Sequence, residues 1–164
     1  MTPVEICDLL DRLAGWPWPL TPAATQARLV VELGYDLIPT PMGTMTVANR
    51  AVGEGDAEVL VPRASKHGRV AFGVKFDATN HMLVDRSSHE SAALCGDLYA
   101  HTVAEGTRRW GRADLRRAPR NQGALWLLPG GGAHLVRLTR GGVHVHHYTP
   151  QGAEHTTTEK AAKR

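Results

Sequence analysis

The spacing of apolar residues changes period three times along the chain, and the order of those changes restricts the fold more than any other feature. Ile6, Leu9, Leu10 and Leu13 repeat at i, i+3, i+4 and i+7, which draws one apolar stripe along a helix. The segment opens with "TPVE", where Thr2 caps, Pro3 fits the first helical position and Glu5 returns a bond to the cap; Gly15 ends it. "TPAATQARLVVELG", residues 21 to 34, repeats the design, with Thr21 as cap, Pro22 as start, Gly34 as stop, and Ala27, Val30 and Leu33 on one face. Between them "WPWP" forbids a helix, because neither proline has an N–H and each disfavours helical backbone in the residue before it. The two segments therefore form an α-hairpin, with Trp16 and Trp18 wedged between helices and sheet.

From residue 35 the period drops to two. "YDLIPT", "MTVANR", "EVLVPR" and "RVAFGVKF" read as three or four short strands separated by Pro, Gly and polar clusters, and Val70, Phe72, Val74 and Phe76 alternate cleanly enough to bury one face. Helical period returns in "DRSSHESAALCGDLYAHTVAEGTRRWG", with Ser87 and Glu90 as a second capping box, Leu94, Leu98 and Thr102 on the inner face, and Gly106 or Gly111 at the end. Three strands follow, at 123–128, 133–139 and 143–149, the last two joined by the two-glycine turn "RGGV". Runs of helix and strand segregated in this way specify an α+β fold: an N-terminal α-hairpin, an antiparallel β-sheet, and one long helix between two groups of strands. Residues 1–150 are expected to form a single domain, and the polar tail 151–164, which lacks apolar periodicity, to be frayed.

A chain of 164 residues buries about 70% of its unfolded surface, so one core suffices. It contains no long apolar run to span a membrane, and its acidic, amphipathic start is unlike a signal peptide, so a cytoplasmic location is expected. Cys7 and Cys95 form no CxxC pair and are expected to be buried thiols.

Candidate chemistry centres on "GGVHVHHYTP", residues 141 to 150. Strand alternation puts Val143 and Val145 on one face and His144 and His146 on the other, about 6–7 Å apart, with His147 returning to the valine side. Two imidazoles at that spacing suit zinc only if a third ligand joins them, from His134 across the hairpin or from His81, His89 or His101. No HExxH occurs, so the expectation is that His144 and His146 face water and that metal-dependent catalysis through them is the lesser alternative. The three glycines of "LPGGGAH" precede a strand rather than a helix, which makes a turn, not a phosphate loop. No serine stands in a nucleophile setting, and Cys95 and Asp97 differ by two positions on a helix and so face apart. The chain reads as a non-enzyme with no cofactor.

The sharpest surface feature is "TRRWGRADLRRAPR", with Arg108, Arg109, Arg112, Arg116, Arg117 and Arg120 around Trp110. The first three complement the end of the long helix as cations do at any helix C-terminus. The remainder suit an acidic protein surface through bidentate contacts, or phosphates with Trp110 stacked on a base.

"DLLDRLAGWPWPLTPAATQARLVVELGY", "WGRADLRRAP" and "ALWLLPGGGAHLVRLTRGGVHVHHY" together resemble a family of small actinobacterial α+β proteins encoded near polymorphic-toxin and type VII secretion genes, over residues 3 to 149. The resemblance implies an immunity protein or a secretion chaperone and carries over no catalytic residue. Inhibitors of nucleases tend to be acidic; the net charge of +3 here better suits a toxin with an acidic cleft. The expected function is binding: an immunity-like inhibitor that occludes a cognate toxin or secreted effector through Arg108, Arg109, Trp110, Arg112, Arg116, Arg117 and Arg120. The alternatives are a nucleic-acid-binding module using the same arginines and a secretion chaperone.

Overall fold

Thr2 and Glu5 close the first helix start in both directions: the Glu5 amide donates to Thr2 Oγ1 at 3.3 Å and the Thr2 amide to Glu5 Oε2 at 2.7 Å. Helix α1 runs Pro3–Ala14 and buries the expected stripe, Ile6, Leu9, Leu10 and Leu13, together with Cys7. Helix α2, Pro22–Leu33, is capped by Thr21 and stopped by Gly34 in the left-handed region at φ 70°. Its deepest side chains are Thr25, Gln26 and Leu29, with Val30 and Leu33 only part-buried. The intervening turn is pinned where Trp18 Nε1 donates to the Leu13 carbonyl at 2.7 Å, and Trp16 packs beside it.

The structure, a computed structural model, describes residues 1–38, 46–49, 56–60, 70–79, 88–116, 118 and 121–161. Eight strands are described: β1 Tyr35–Ile38, β2 Thr46–Asn49, β3 Asp56–Leu60, β4 Gly73–Asp77, β5 Asp114–Arg116, β6 Asn121–Leu127, β7 Ala133–Thr139 and β8 Gly142–Tyr148. Helix α3, His89–Trp110, separates the fourth from the fifth, and α4, Pro150–Ala161, follows the last. All pairs are antiparallel, in the order β1-β2-β3-β4-β8-β7-β6-β5. Each half places helix before a four-stranded meander, α1 and α2 before β1–β4 and α3 before β5–β8, and the halves meet where β4 pairs with β8. The repeat is one of architecture, with no matching repeat in sequence, because period-two alternation specifies a strand with many different residues.

The sheet register sorts side chains into two faces. The cross-strand row Leu115, Ala124, Val136, Val145, Phe76, Ala57 lies on the face covered by α1, α2 and α3, and its five inner members are buried in one core with Ile6, Leu10, Leu29 and Trp126. The adjacent row Arg116, Gly123, Arg137, His144, Asp77 lies on the opposite face. Both cysteines are free and buried, and burial pushes the Cys7 thiol up to about 12.

Three local expectations give way. The cap of α3 is Ser88, whose Oγ accepts from the Ser91 amide at 3.4 Å; Glu90 then falls one position short of a capping box. On the inner face of α3, Thr102 is buried and Leu98 packs against the core as expected, joined by Cys95 and Gly106, but Leu94 is 63% exposed. Gly106 is without a side chain there because the Trp110 and Trp126 rings occupy the space one would need. The third concerns the tail, where Pro150–Ala161 form α4 and residues 162–164 lie outside the described residues. Thr149, Gly152 and Ala153 are buried and the Gly152 amide donates to Thr149 Oγ1 at 3.1 Å, a cap that periodicity alone does not reveal.

Gly152 tests that docking. A Cβ there would stand 1.9 Å from the Phe72 carbonyl oxygen, and backbone cannot swing aside as a side chain can. Gly152→Ala should therefore undock α4, lowering the melting temperature by several degrees for about 1–2 kcal/mol, and limited proteolysis should cut within the tail. An unchanged melt and digestion pattern would mean that the first turn of α4 does not bear on Phe72.

Candidate functional site

The arginine segment divides at Gly111. Before it, the end of α3 clamps α1. Arg109 Nη1 donates to Asp8 Oδ1 at 2.7 Å and Asp11 Oδ2 at 2.9 Å, and its Nε to Glu105 Oε1 at 2.6 Å. Arg108 grips Glu105 through two bonds of 2.9 and 2.7 Å. The Arg108 and Arg109 hydrogen bonds hold the Glu105 carboxyl down at about 2. Trp110 Nε1 donates to Asp11 Oδ1 at 2.7 Å, and its ring packs edge-on to Trp126 and 4.4 Å from His134. Arg109 and Trp110, expected to meet a partner, are therefore engaged inside the molecule, and carboxylates of α1 bind the guanidinium expected to answer the dipole of α3. The acids of the first helix and the arginines of the third are plain in the sequence, but their proximity is not.

Past Gly111 the two described arginines of the segment are not drawn into such a clamp. Arg112 and Arg116 are exposed, and among the described residues neither pairs with a carboxylate. Arg137, two strands in from Arg116, bonds to Asn121 Oδ1 at 3.3 Å. Arg117 and Arg120 lie outside the described residues. Arg116 sits on β5, a strand not anticipated from "ADLRRAP", whose two charges in three residues hide it; pairing with β6 creates it.

The histidines share faces as alternation requires, but the expectation that His144 and His146 face water fails. His144 is tied down on both sides, Nδ1 to the Asp77 carboxylate and Nε2 to Thr139 Oγ1 at 3.0 Å. His146 is buried, with Nδ1 3.3 Å from the Tyr148 hydroxyl and the two rings stacked. Burial, then the nearby Arg137 and Lys75, push the His146 imidazole down to about 3. Flanking strands and Tyr148 fill the space that a lone hairpin would leave to solvent.

The two rings aim at different partners, and among the described residues no group of three or more His, Cys, Asp or Glu side chains is arranged to hold a metal. The Asp77, His144 and Thr139 side chains form a carboxylate–imidazole–hydroxyl line of the kind that activates nucleophiles. Thr139 Oγ1 also accepts the Gly141 amide at 3.0 Å and lies 3.4 Å from the Gly142 carbonyl. The hydroxyl is thereby the latch of the β7–β8 turn, and the line accounts for a rigid hairpin without invoking a reaction.

The least expected cluster is inside. His134 and His147 face each other across β7 and β8, Nδ1 to Nδ1 at 3.2 Å, both wholly enclosed. Trp110 covers the first ring and Trp18 lies 5.7 Å from the second. One ring must donate and the other accept, and desolvation, which lowers them to about 4 and about 3, keeps both neutral near pH 7. Neither Nε2 atom has a hydrogen-bond partner among the described residues. The sequence signal was available: the register of a two-glycine hairpin places His134 opposite His147.

Among the described residues no helix is long and apolar enough to cross a membrane. A family model described as a family of unknown function, DUF6301, matches residues 4–148. Neither the curated proteins nor the solved structures contain a match to the chain.

Proposed function

The chain belongs to the DUF6301 family, and we propose that it is a binding protein that docks on an acidic protein surface through the β5 end of its sheet. The carrying observation is the division of the arginines: Arg108 and Arg109 are neutralised by Glu105, Asp8 and Asp11, whereas Arg112 and Arg116 stand exposed and, among the described residues, form no ion pair. Arginine is enriched at binding hot spots because its planar fork meets carboxylates bidentately. A protein partner suits this surface better than nucleic acid. The ring on which a base would stack, Trp110, is packed against Trp126 and His134 and bonded to Asp11. The narrower proposal is an immunity-like role in the cytoplasm, occluding the acidic cleft of a cognate toxin or secreted effector; a secretion chaperone would use the same surface and differ only in the fate of its cargo.

Co-expression with the product of each adjacent gene tests the reading. A stable complex is expected, and Arg112→Glu should weaken it by about tenfold, chiefly through slower association. No complex with either neighbour, or a complex indifferent to Arg112→Glu and to salt, would overturn it.

A further inference from the structure

We propose that β5 is a self-complementary edge through which two copies of this chain pair into one continuous sheet. β5 ends the strand order, and no described strand lies on its outer side. Its three residues are Asp114, Leu115 and Arg116, all exposed, with Leu115 at 49%. Alternation places the two charges on one face and Leu115 on the other, where it continues the core row of Ala124, Val136 and Val145 past the last strand.

An acid and a base set symmetrically about a leucine is what a two-fold axis through that leucine requires. In the antiparallel register centred on Leu115, Asp114 of each copy lies opposite Arg116 of the other, and the two leucines meet on the face bearing the helices. The contact is isologous, so every interaction occurs twice. Other registers are unfavourable. Centring on Arg116 sets arginine against arginine, centring on Asp114 sets acid against acid, and parallel in-register pairing does both, each placing like charges directly opposite. Short, charged edges ordinarily discourage pairing; here the charges discourage every arrangement but one. The opposite edge, β1, offers no such reciprocity, since "YDLI" carries one acid and no cation. A uniformly acidic strand from another protein would confront Asp114, which favours a second copy as the occupant.

The pairing takes Arg116 out of the binding surface and leaves Arg112, through which the binding role is tested, so the two readings can fail separately. Sedimentation equilibrium of the full chain, over a concentration series reaching millimolar, should show a monomer–dimer equilibrium. Asp114→Arg and Arg116→Asp should each raise the dissociation constant by about tenfold, since reversal turns two attractive pairs into two repulsive ones. The double variant, Asp114→Arg with Arg116→Asp, restores the reciprocal pattern and should dimerise like the parent. The two single variants, each weak alone, should form a heterodimer when mixed, because one then offers only arginines and the other only aspartates. A parent that stays monomeric throughout, single variants that dimerise unchanged, or a double variant as weak as the singles would each overturn the proposal.

Discussion

Lowering the pH from 7 to 4 is expected to remove most of this protein's stability, and buried imidazoles rather than carboxylates should lead the loss. His134, His146 and His147 are held neutral in the fold, at about 4, 3 and 3. An unfolded chain protonates them near their ordinary value of about 6.5. At neutral pH both states are uncharged and the histidines contribute no pH dependence. Below about 6.5 the unfolded state takes up protons that the folded state refuses, so stability falls until the folded values are reached. By pH 4 each group has shifted the balance by about 3 kcal/mol. His134 and His147 share a hydrogen bond and titrate as a pair, so the three contributions do not simply add, but together they are comparable with the stability of an ordinary domain, about 5–15 kcal/mol.

The Glu105 carboxylate acts later. Its lowered value means that its contribution is intact above the ordinary carboxyl range and is lost only as the pH falls toward about 2. Trp18 and Trp110 adjoin the histidine pair, so tryptophan fluorescence with urea titration at each pH reads the loss directly. His134→Asn should flatten the dependence between pH 6 and 5 by about 1.4 kcal/mol per pH unit, one proton's worth. Unfolding free energy that stays level from pH 7 to 5 would mean that the three rings are not sealed from water.

Trp126→Ala should be the most damaging single substitution, destabilising by about 3–5 kcal/mol. The indole is enclosed beneath α3, meets Trp110 edge-on, and donates from Nε1 to the Gly111 carbonyl at 3.0 Å, the group that ends the helix. Gly106 belongs to the same packing. A Cβ there would come within 2.8 Å of Trp110 and 2.9 Å of Trp126. Gly106→Ala gains about 1 kcal/mol of helix propensity, and overpacking of about 1–3 kcal/mol should exceed it. In the Trp126→Ala background one obstructing ring is gone and the Trp110 ring gains room to yield, so the same change should cost less. Chemical denaturation of the four proteins in this cycle measures the coupling; effects that add within about 0.5 kcal/mol would show that Gly106 and Trp126 do not share a space.

The α-hairpin, the antiparallel sheet and the long helix were legible because each rests on local rules: caps and prolines start helices, glycines stop them, and period-two alternation marks strands. β5 was invisible for the converse reason. Asp114 and Arg116 are poor strand formers, and their conformation comes from β6. α4 is hidden in the sequence because its docking depends on a side-chain-free position at Gly152 and a carbonyl at Phe72, eighty residues earlier in the chain.

The same division governs the candidate surfaces. Sequence alone established which residues share a face: Val143 with Val145, His144 with His146, and a run of arginines after the third helix. Only the tertiary structure decided which faces meet water. It set Asp8 and Asp11 against Arg109, about a hundred positions away, enclosed His146, and left Arg112 and Arg116 outside. Orientation within an element follows from backbone geometry a few residues long, whereas burial and ion pairing are set by whatever the rest of the chain brings alongside.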